Sequence, residues 1–334
     1  MKLKFLIIPI VLIITISCKE KKYEYLKIQG YAQGTTYHIT YENAANRNFA
    51  VQIDSILKVF DLSLSEYIPQ SIISRINAND TSVEIDDWFR TVFIKAQEVN
   101  KCSEGAFDIT VGPLVNAWGF GPKGIKSNSK SHIDSLLKFI GMDKVKIVGK
   151  KVIKKYPQVC LDVNALAQGY SVDVVCNFFD SKGIKNYVVE IGGELRARGK
   201  NANGKNWQIG IDKPVDGSNS TNEQLQDIIS LSNKAIATSG DYRKFFVENG
   251  QKYAHHIDPH TGYPAKQNLL SASIIANDCI TADAYGTACM VSGLEKSKKL
   301  LTKHQELQAI LIYADQNGKL CQFMTEGARE IVKK

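Results

Sequence analysis

The chain has 334 residues, 44% of them hydrophobic and 23% charged, enough to bury the core of one large domain or two fused ones and ordinary for a globular protein. Its formal charge of +8 is a modest surplus that favours anionic ligands in general. No strongly basic helix or RNA-binding signature accompanies that charge, so nucleic acid is excluded as the expected partner.

The N-terminus reads as a targeting segment. Lys2 and Lys4 precede an apolar stretch from Phe5 to Ile16, followed by Ser17-Cys18 and the charged run Lys19-Glu20-Lys21-Lys22. That stretch is shorter than the roughly 20 residues that span a bilayer, and a cysteine directly after a small residue resembles the cleavage box of bacterial lipoproteins. Residues 1–17 are therefore expected to be a signal peptide, Cys18 the lipidated first mature residue, 18–27 a tether, and 28–334 a folded domain held on a membrane and facing the periplasm. Thr15 departs from the leucine usual three places before that cysteine, and an uncleaved anchor or a simple secretory signal is the alternative. The other six cysteines, Cys102, Cys160, Cys176, Cys279, Cys289 and Cys321, show no CxxC spacing and several lie in apolar runs. Buried thiols are expected rather than a disulfide framework, since a chain this long does not need staples.

After the tether, alternation over Tyr37-His38-Ile39-Thr40-Tyr41 predicts a strand. Apolar periodicity predicts a helix from about Phe49 to Leu62, with Val51, Ile56, Val59 and Phe60 as core contacts, and another from about Trp88 to Asn100. Ser127 to Ser131 is polar and reads as a loop, and Val145 to Val163 alternates as strands do. Asn164 stands where a helix cap belongs, ahead of a helix from Ala165 to Phe179 with an apolar stripe of Leu166, Tyr170, Val174 and Phe178 and a stop at Gly183. Tyr187–Ile191 and Trp207–Ile211 read as strands flanking a turn at Gly192-Gly193, and Asp216 to Glu223 as a second polar loop. Strands outnumber helices without regular βαβ alternation, which argues for an α+β fold with largely antiparallel sheets.

Two constellations carry chemistry. Asp283 and Thr287 stand four apart in a run of small and apolar residues, so on a helix their oxygens point the same way. A carboxylate and a hydroxyl suit Mg²⁺, which takes one or two protein oxygens and completes its shell with water and phosphate; ordinary capping and back-bonding is the bland alternative. In Tyr253-Ala254-His255-His256-Ile257-Asp258-Pro259, strand alternation would put His255 on the face of Ile257 and turn His256 away. Asp258-Pro259 followed by Thr261-Gly262 reads as a tight turn.

Several motifs, in order, resemble the FAD:protein FMN transferase (ApbE) family: Gln33-Gly34-Thr35, Ser65-Glu66-Tyr67, Gly105 through Leu114 (GAFDITVGPL), Leu161 through Tyr170 (LDVNALAQGY), Glu190 through Leu195 (EIGGEL), Asp258 through Pro264 (DPHTGYP) and Thr281-Ala282-Asp283-Ala284. The resemblance covers nearly everything from about residue 28 to the end. It implies a related α+β catalytic unit with the flavin between its two halves, and Mg²⁺ held by Asp283, Thr287 and the backbone carbonyl of Ala165. FAD, as substrate, would be gripped by residues matching Gln33, Tyr67, Ala106, Phe107, Asp108, Asp162, Gln168 and Ile257. Tyr67 offers an aromatic face, Asp108 and Asp162 accept hydrogen bonds, and the others can act through backbone. Gln33 stands where relatives often have Met, Gln168 where Lys or Glu is common, and Gly286 where some carry a second carboxylate.

The same resemblance makes His255 the candidate general base, against a purely orienting role, and brings Ser239 and Arg243 near the phosphates or the incoming protein. The implied reaction cleaves FAD, attaches FMN through a phosphoester to a Thr or Ser of an acceptor flavoprotein of membrane electron-transfer complexes, and releases AMP. An FAD pyrophosphatase using water, or a non-catalytic FAD-binding lipoprotein, are the alternatives.

Overall fold

Residues 24–43, 46–122, 124, 126–215, 225–242, 245–248 and 251–333 are described by a computed structural model. The expected signal peptide, Cys18, Arg243 and the stretch from Asp216 to Glu223 lie outside them.

The hairpin of β1 (Tyr25–Ala32) and β2 (Thr35–Glu42) leads to α1 (Ala50–Leu64), α2 (Ile72–Asn77) and α3 (Asp87–Cys102). The short helices α4 (Gly112–Ala117) and α5 (Lys130–Leu136) precede a small hairpin of β3 (Val145–Val148) and β4 (Lys151–Lys154). The long α6 (Asn164–Ser181) is followed by β5 (Tyr187–Ile191), β6 (Glu194–Arg198), β7 (Trp207–Asp212) and β8 (Leu225–Leu231). Then come β9 (Lys234–Gly240), β10 (Phe245–Glu248), β11 (Gln251–Ala254), β12 (Leu269–Ala276), α7 (Cys279–Ser292), α8 (Leu294–Lys303), β13 (Gln308–Ala314), β14 (Leu320–Met324) and α9 (Glu326–Ile331). Eight strands form one antiparallel sheet in the order β1-β2-β5-β6-β9-β12-β13-β14, as the α+β reading expects. Among the described residues no helix is long and apolar enough to cross a membrane.

Local chemistry accounts for these elements. The β1–β2 turn has only Gln33 and Gly34, with φ of 54° and 74°, the left-handed pair that a two-residue hairpin loop needs. Tyr37, Ile39 and Tyr41 of β2 share one buried face and pack on Ile53 and Leu57 of α1 and on Val172, Val175, Cys176 and Phe179 of α6. The buried stripe of α1 is Ile53, Leu57, Phe60 and Leu64, while Val51 is 78% and Val59 51% exposed, contrary to the sequence reading. Periodicity offered two apolar stripes; the larger side chains, in line with the aromatic patch on β2 and α6, took the core.

The helix predicted from Ala165 is α6, but its core contacts extend well beyond one stripe. Ten of its eighteen residues are buried. Leu166 and Val174 pack, with Tyr170, into the cluster beneath β9, β12 and α7, while Val172, Val175, Cys176 and Phe179 serve the cluster under β2 and β5. Asn164 is its first helical residue rather than its cap; the Asp162 Oδ1 accepts the Asn164 N–H at 2.9 Å from two residues upstream. Of the stretch Val145 to Val163 only β3 and β4 are strands, and the polar loop at Ser127 ends where α5 begins at Lys130. The six cysteines are free thiols, with Cys176, Cys279 and Cys289 buried.

Phe179 has no exposed surface and its ring lies 4.9 Å from that of Tyr41 and 5.4 Å from that of Tyr187. Phe179→Ala should lower unfolding free energy by about 3–5 kcal/mol, because the cavity cannot close among rings held by two strands and two helices. Urea denaturation followed by far-UV dichroism checks this; a loss under ~1 kcal/mol would mean that α6 is not the shared wall of both core clusters.

Candidate active site

Helices α6 and α7 touch at Gly169. A Cβ there would lie 2.5 Å from the Cys279 carbonyl oxygen and 2.7 Å from the Asp283 Cβ, so only glycine lets the helices meet this closely. The Gly169 N–H donates to Asp283 Oδ2 at 2.9 Å. In a regular helix that N–H serves the carbonyl four residues back, which is Ala165, so Asp283 draws on the same donor. One turn further along α6, Asp173 accepts the Cys279 N–H at 2.9 Å and the Ile280 N–H at 2.9 Å and pairs with Arg196 at 2.8 Å. The contacts Asp173 to Cys279 and Gly169 to Asp283 run in opposite chain directions. The next turn along each helix is therefore Ala165 and Thr287, and the carbonyl, carboxylate and hydroxyl of the sequence reading belong to one antiparallel crossing.

Two buried acids sit at this crossing in different electrical surroundings. Burial pushes Asp173 up to about 6, and the Arg196 guanidinium and the two α7 amides hold it from rising further. Burial pushes Asp283 higher, to about 7, and the nearby Asp173 charge adds to this, with only the Gly169 N–H pulling back. Asp283 thus has a carboxyl that a hard cation would hold in its charged form. Three oxygens of different kinds are the donor set that suits Mg²⁺. At Gly286 a Cβ would lie 2.7 Å from Ser239 Oγ on β9, so a side chain there would require the Ser239 hydroxyl to move, and the second carboxylate that some relatives carry is absent.

The other candidates cluster about the start of α6. Asp162, 8% exposed, caps Asn164, and Glu66 Oε1 accepts the Val163 N–H at 3.0 Å beside it. Burial, then the Asp162 charge, pushes Glu66 well above the ordinary carboxylate range. Tyr67, 62% exposed, presents its ring next to these acids. Gln168 Nε2 donates to the Ile191 carbonyl at 3.0 Å under the β5–β6 turn, where a Cβ on Gly192 would strike it. Gln33 Oε1 accepts from Ser171 Oγ at 3.1 Å, tying the β1–β2 turn to α6. The Asp162 N–H donates to the Ile109 carbonyl at 2.7 Å, which brings the segment of Ala106, Phe107 and Asp108 alongside. Asp108 Oδ1 accepts from Thr110 Oγ1 at 2.6 Å and its N–H at 2.8 Å; burial pushes this acid up and those bonds partly offset it. The Phe107 side chain is core, and Ile257 packs with Leu114, Trp118 and Ile133, so neither presents an open side chain.

His255 and His256 depart from the alternation expected of them. β11 ends at Ala254 and the chain bends at His255, so the two rings lie side by side, centroids 4.1 Å apart. His256 is buried with Nδ1 2.6 Å from Asp241 Oδ1, while His255 is half-buried near the Phe120 ring. His256 therefore supports its neighbour instead of turning away from it.

The sequence profile of the ApbE family matches residues 33–311. The chain belongs to the ApbE family. A FAD:protein FMN transferase of Haemophilus influenzae is 37% identical over 327 residues, 93% of each chain, and one of Vibrio cholerae 36% identical over 90% of this chain and 91% of its own. The flavin transferase ApbE from Vibrio cholerae superposes with a TM-score of 0.82 at 33% identity, covering 92% of this chain and 99% of its own. The apo flavinyl transferase ApbE from Pseudomonas stutzeri does so at 0.82 and 30%, covering 92% and 97%.

Within this ApbE fold, sequence reasoning passed over Glu66, Gly169, Asp173, Asp241 and the part played by His256. Gly169 had a visible sign, a glycine four residues after Ala165 in a helix, the spacing that opens one face to a close neighbour. Asp173, Asp241 and Arg196 had none, because their partners come from distant strands and helices.

Because the Asp283 pKa is raised on folding, its contribution favours the folded state below about pH 4 and is lost as pH rises through about 7. Metal-free Asp283→Asn should accordingly be the more stable protein at pH 8, by roughly a few kcal/mol, with the difference shrinking toward pH 4. Thermal unfolding in chelator across that range tests it; parallel curves for the two proteins would mean that Asp283 is not a strained acid.

Proposed function

We propose that this chain is a Mg²⁺-dependent FAD:protein FMN transferase, the activity named for its curated relatives. The observation that carries the reading is the α6–α7 crossing, where the buried Asp283 carboxyl, raised to about 7, meets α6 at the Gly169 N–H, four residues from Thr287 on its own helix and from Ala165 on the other. Asp283, Thr287 and the Ala165 carbonyl would hold the ion. When bound, Mg²⁺ supplies neutralisation of charge on the pyrophosphate oxygens.

The chain's own residues would do the rest. Tyr67 provides an exposed ring for stacking, and Asp108 and Asp162, steadied by Thr110 and Asn164, accept hydrogen bonds from ribose or base. His255, held beside the His256–Asp241 pair, takes the proton from an acceptor Thr or Ser hydroxyl. That oxygen forms the new bond to the phosphorus of the FMN half, the pyrophosphate P–O bond breaks, and AMP leaves with the bridging oxygen. Acceptors would be flavin-carrying subunits of membrane electron-transfer complexes. The Ser17-Cys18 junction supports anchoring by lipid, with the domain in the periplasm.

Incubation with FAD, Mg²⁺ and a candidate acceptor should add FMN mass to the acceptor and release AMP. Asp283→Ala, or EDTA on the wild type, should abolish both; His255→Ala should retain FAD binding and slow transfer by roughly 10²-fold. AMP and free FMN without acceptor labelling would make the enzyme a pyrophosphatase, and full turnover by folded Asp283→Ala would remove the metal assignment.

In a bacterial host that processes lipoproteins, the wild type should take up labelled fatty acid and sediment with membranes, and Cys18→Ser should do neither in mature form. An unlabelled wild type overturns the anchor.

A further inference from the structure

Two imidazoles and a carboxylate converge where β9 ends and β11 gives way to a bend. Asp241, His255 and His256 each bring a ligand-type atom to within 4.8 Å of the other two. His256 is 4% exposed, its Nδ1 2.6 Å from Asp241 Oδ1, and its ring centroid lies 4.1 Å from that of His255. Asp283 is not a member of this group. A cavity of about 340 Å³ is bordered by Asp241, Tyr242, Lys252, Pro214 and Leu270. The Lys252 ammonium on its border is drawn over the Phe245 ring, 4.3 Å from its centroid.

The donor chemistry here differs from that of the α6–α7 crossing. Mg²⁺ takes oxygen ligands, whereas two imidazoles with one carboxylate are the set that suits Zn²⁺ and its borderline neighbours. A tetrahedral shell with bonds of ~2.0 Å sets donors roughly 3.3 Å apart, so the group has to draw in from its 4.8 Å span while the 2.6 Å His256–Asp241 contact opens. Rotation of three side chains on a bend and a strand end can supply that.

We propose that Asp241, His255 and His256 form a second metal site, separate from the oxygen site, that takes Zn²⁺ or a similar divalent transition ion. The imidazole nitrogens donate lone pairs, the proton shared by His256 Nδ1 and Asp241 moves to the other ring nitrogen of His256, and water completes the shell. A coordinated His255 no longer accepts a proton, so the occupied site shuts off flavin transfer. That last consequence rests on the proposed role of His255; the site itself does not.

Titration of the full chain with Co²⁺ in saturating Mg²⁺ tests the site. The wild type should develop the visible absorption of tetrahedral Co²⁺, displaced by one equivalent of Zn²⁺. Asp283→Ala should keep that spectrum, whereas Asp241→Asn and His256→Gln should each weaken Zn²⁺ binding at least tenfold; should buried His256→Gln fail to fold, half-buried Asp241→Asn decides. No spectrum, or one lost in Asp283→Ala and kept in Asp241→Asn, overturns the proposal. In the transfer assay, Zn²⁺ should slow the wild type tenfold or more at any Mg²⁺ concentration, and His256→Gln, relative to its own zinc-free rate, far less. Relief by added Mg²⁺ would place the inhibitory ion at Asp283 and overturn the inhibitory role. If no transfer activity exists in any form, the Co²⁺ spectrum still decides the site.

Discussion

Everything at the candidate active site depends on one helix crossing. α6 and α7 approach closely enough for a backbone N–H of one to reach a carboxylate of the other, and only a glycine at position 169 permits it. The same approach buries Asp283, and burial raises its pKa to about 7. A larger residue at 169 would part the helices, hydrate the acid and separate it from Ala165. Geometry and charge state are thus two results of a single missing side chain.

The crossing needs both its acids. Asp173 satisfies the first amides of α7 and is neutralised by Arg196 from β6, so it behaves as a structural clamp between helix, helix and sheet. Asp283 receives one N–H, and among the described residues no cationic side chain lowers its pKa as Arg196 does that of Asp173. Two carboxyls of one helix pair, 110 residues apart in the chain yet about a turn apart along the crossing, are divided between scaffold and chemistry by which strand residue reaches them. An arginine facing Asp283 would have made a second clamp and left no acid for a cation.

The sheet sets the limits of the site. β9 sets Ser239 against Gly286, beside Thr287, and its last residues carry the chain to Asp241 and the histidine pair.

Periodicity and motif spacing determined much of this protein from sequence alone: the antiparallel α+β class, α1, α3 and α6 to within a few residues, and the shared face of Asp283 and Thr287. Those features are local, because a helix face or a strand alternation is a property of neighbouring residues. Choosing between two apolar stripes on α1 needed the aromatic patch contributed by β2 and α6. Recognising that Asp162 accepts the first helical N–H of α6, at Asn164, needed its backbone orientation, and the pairing of His256 with Asp241 needed a chain bend that alternation cannot foresee. The ionisation of Asp283, the clamp at Asp173 and the approach of Ser239 to Gly286 were decided by tertiary structure only. Each is set by burial or by a partner more than forty residues away, and neither desolvation nor distant contact leaves a mark on local sequence.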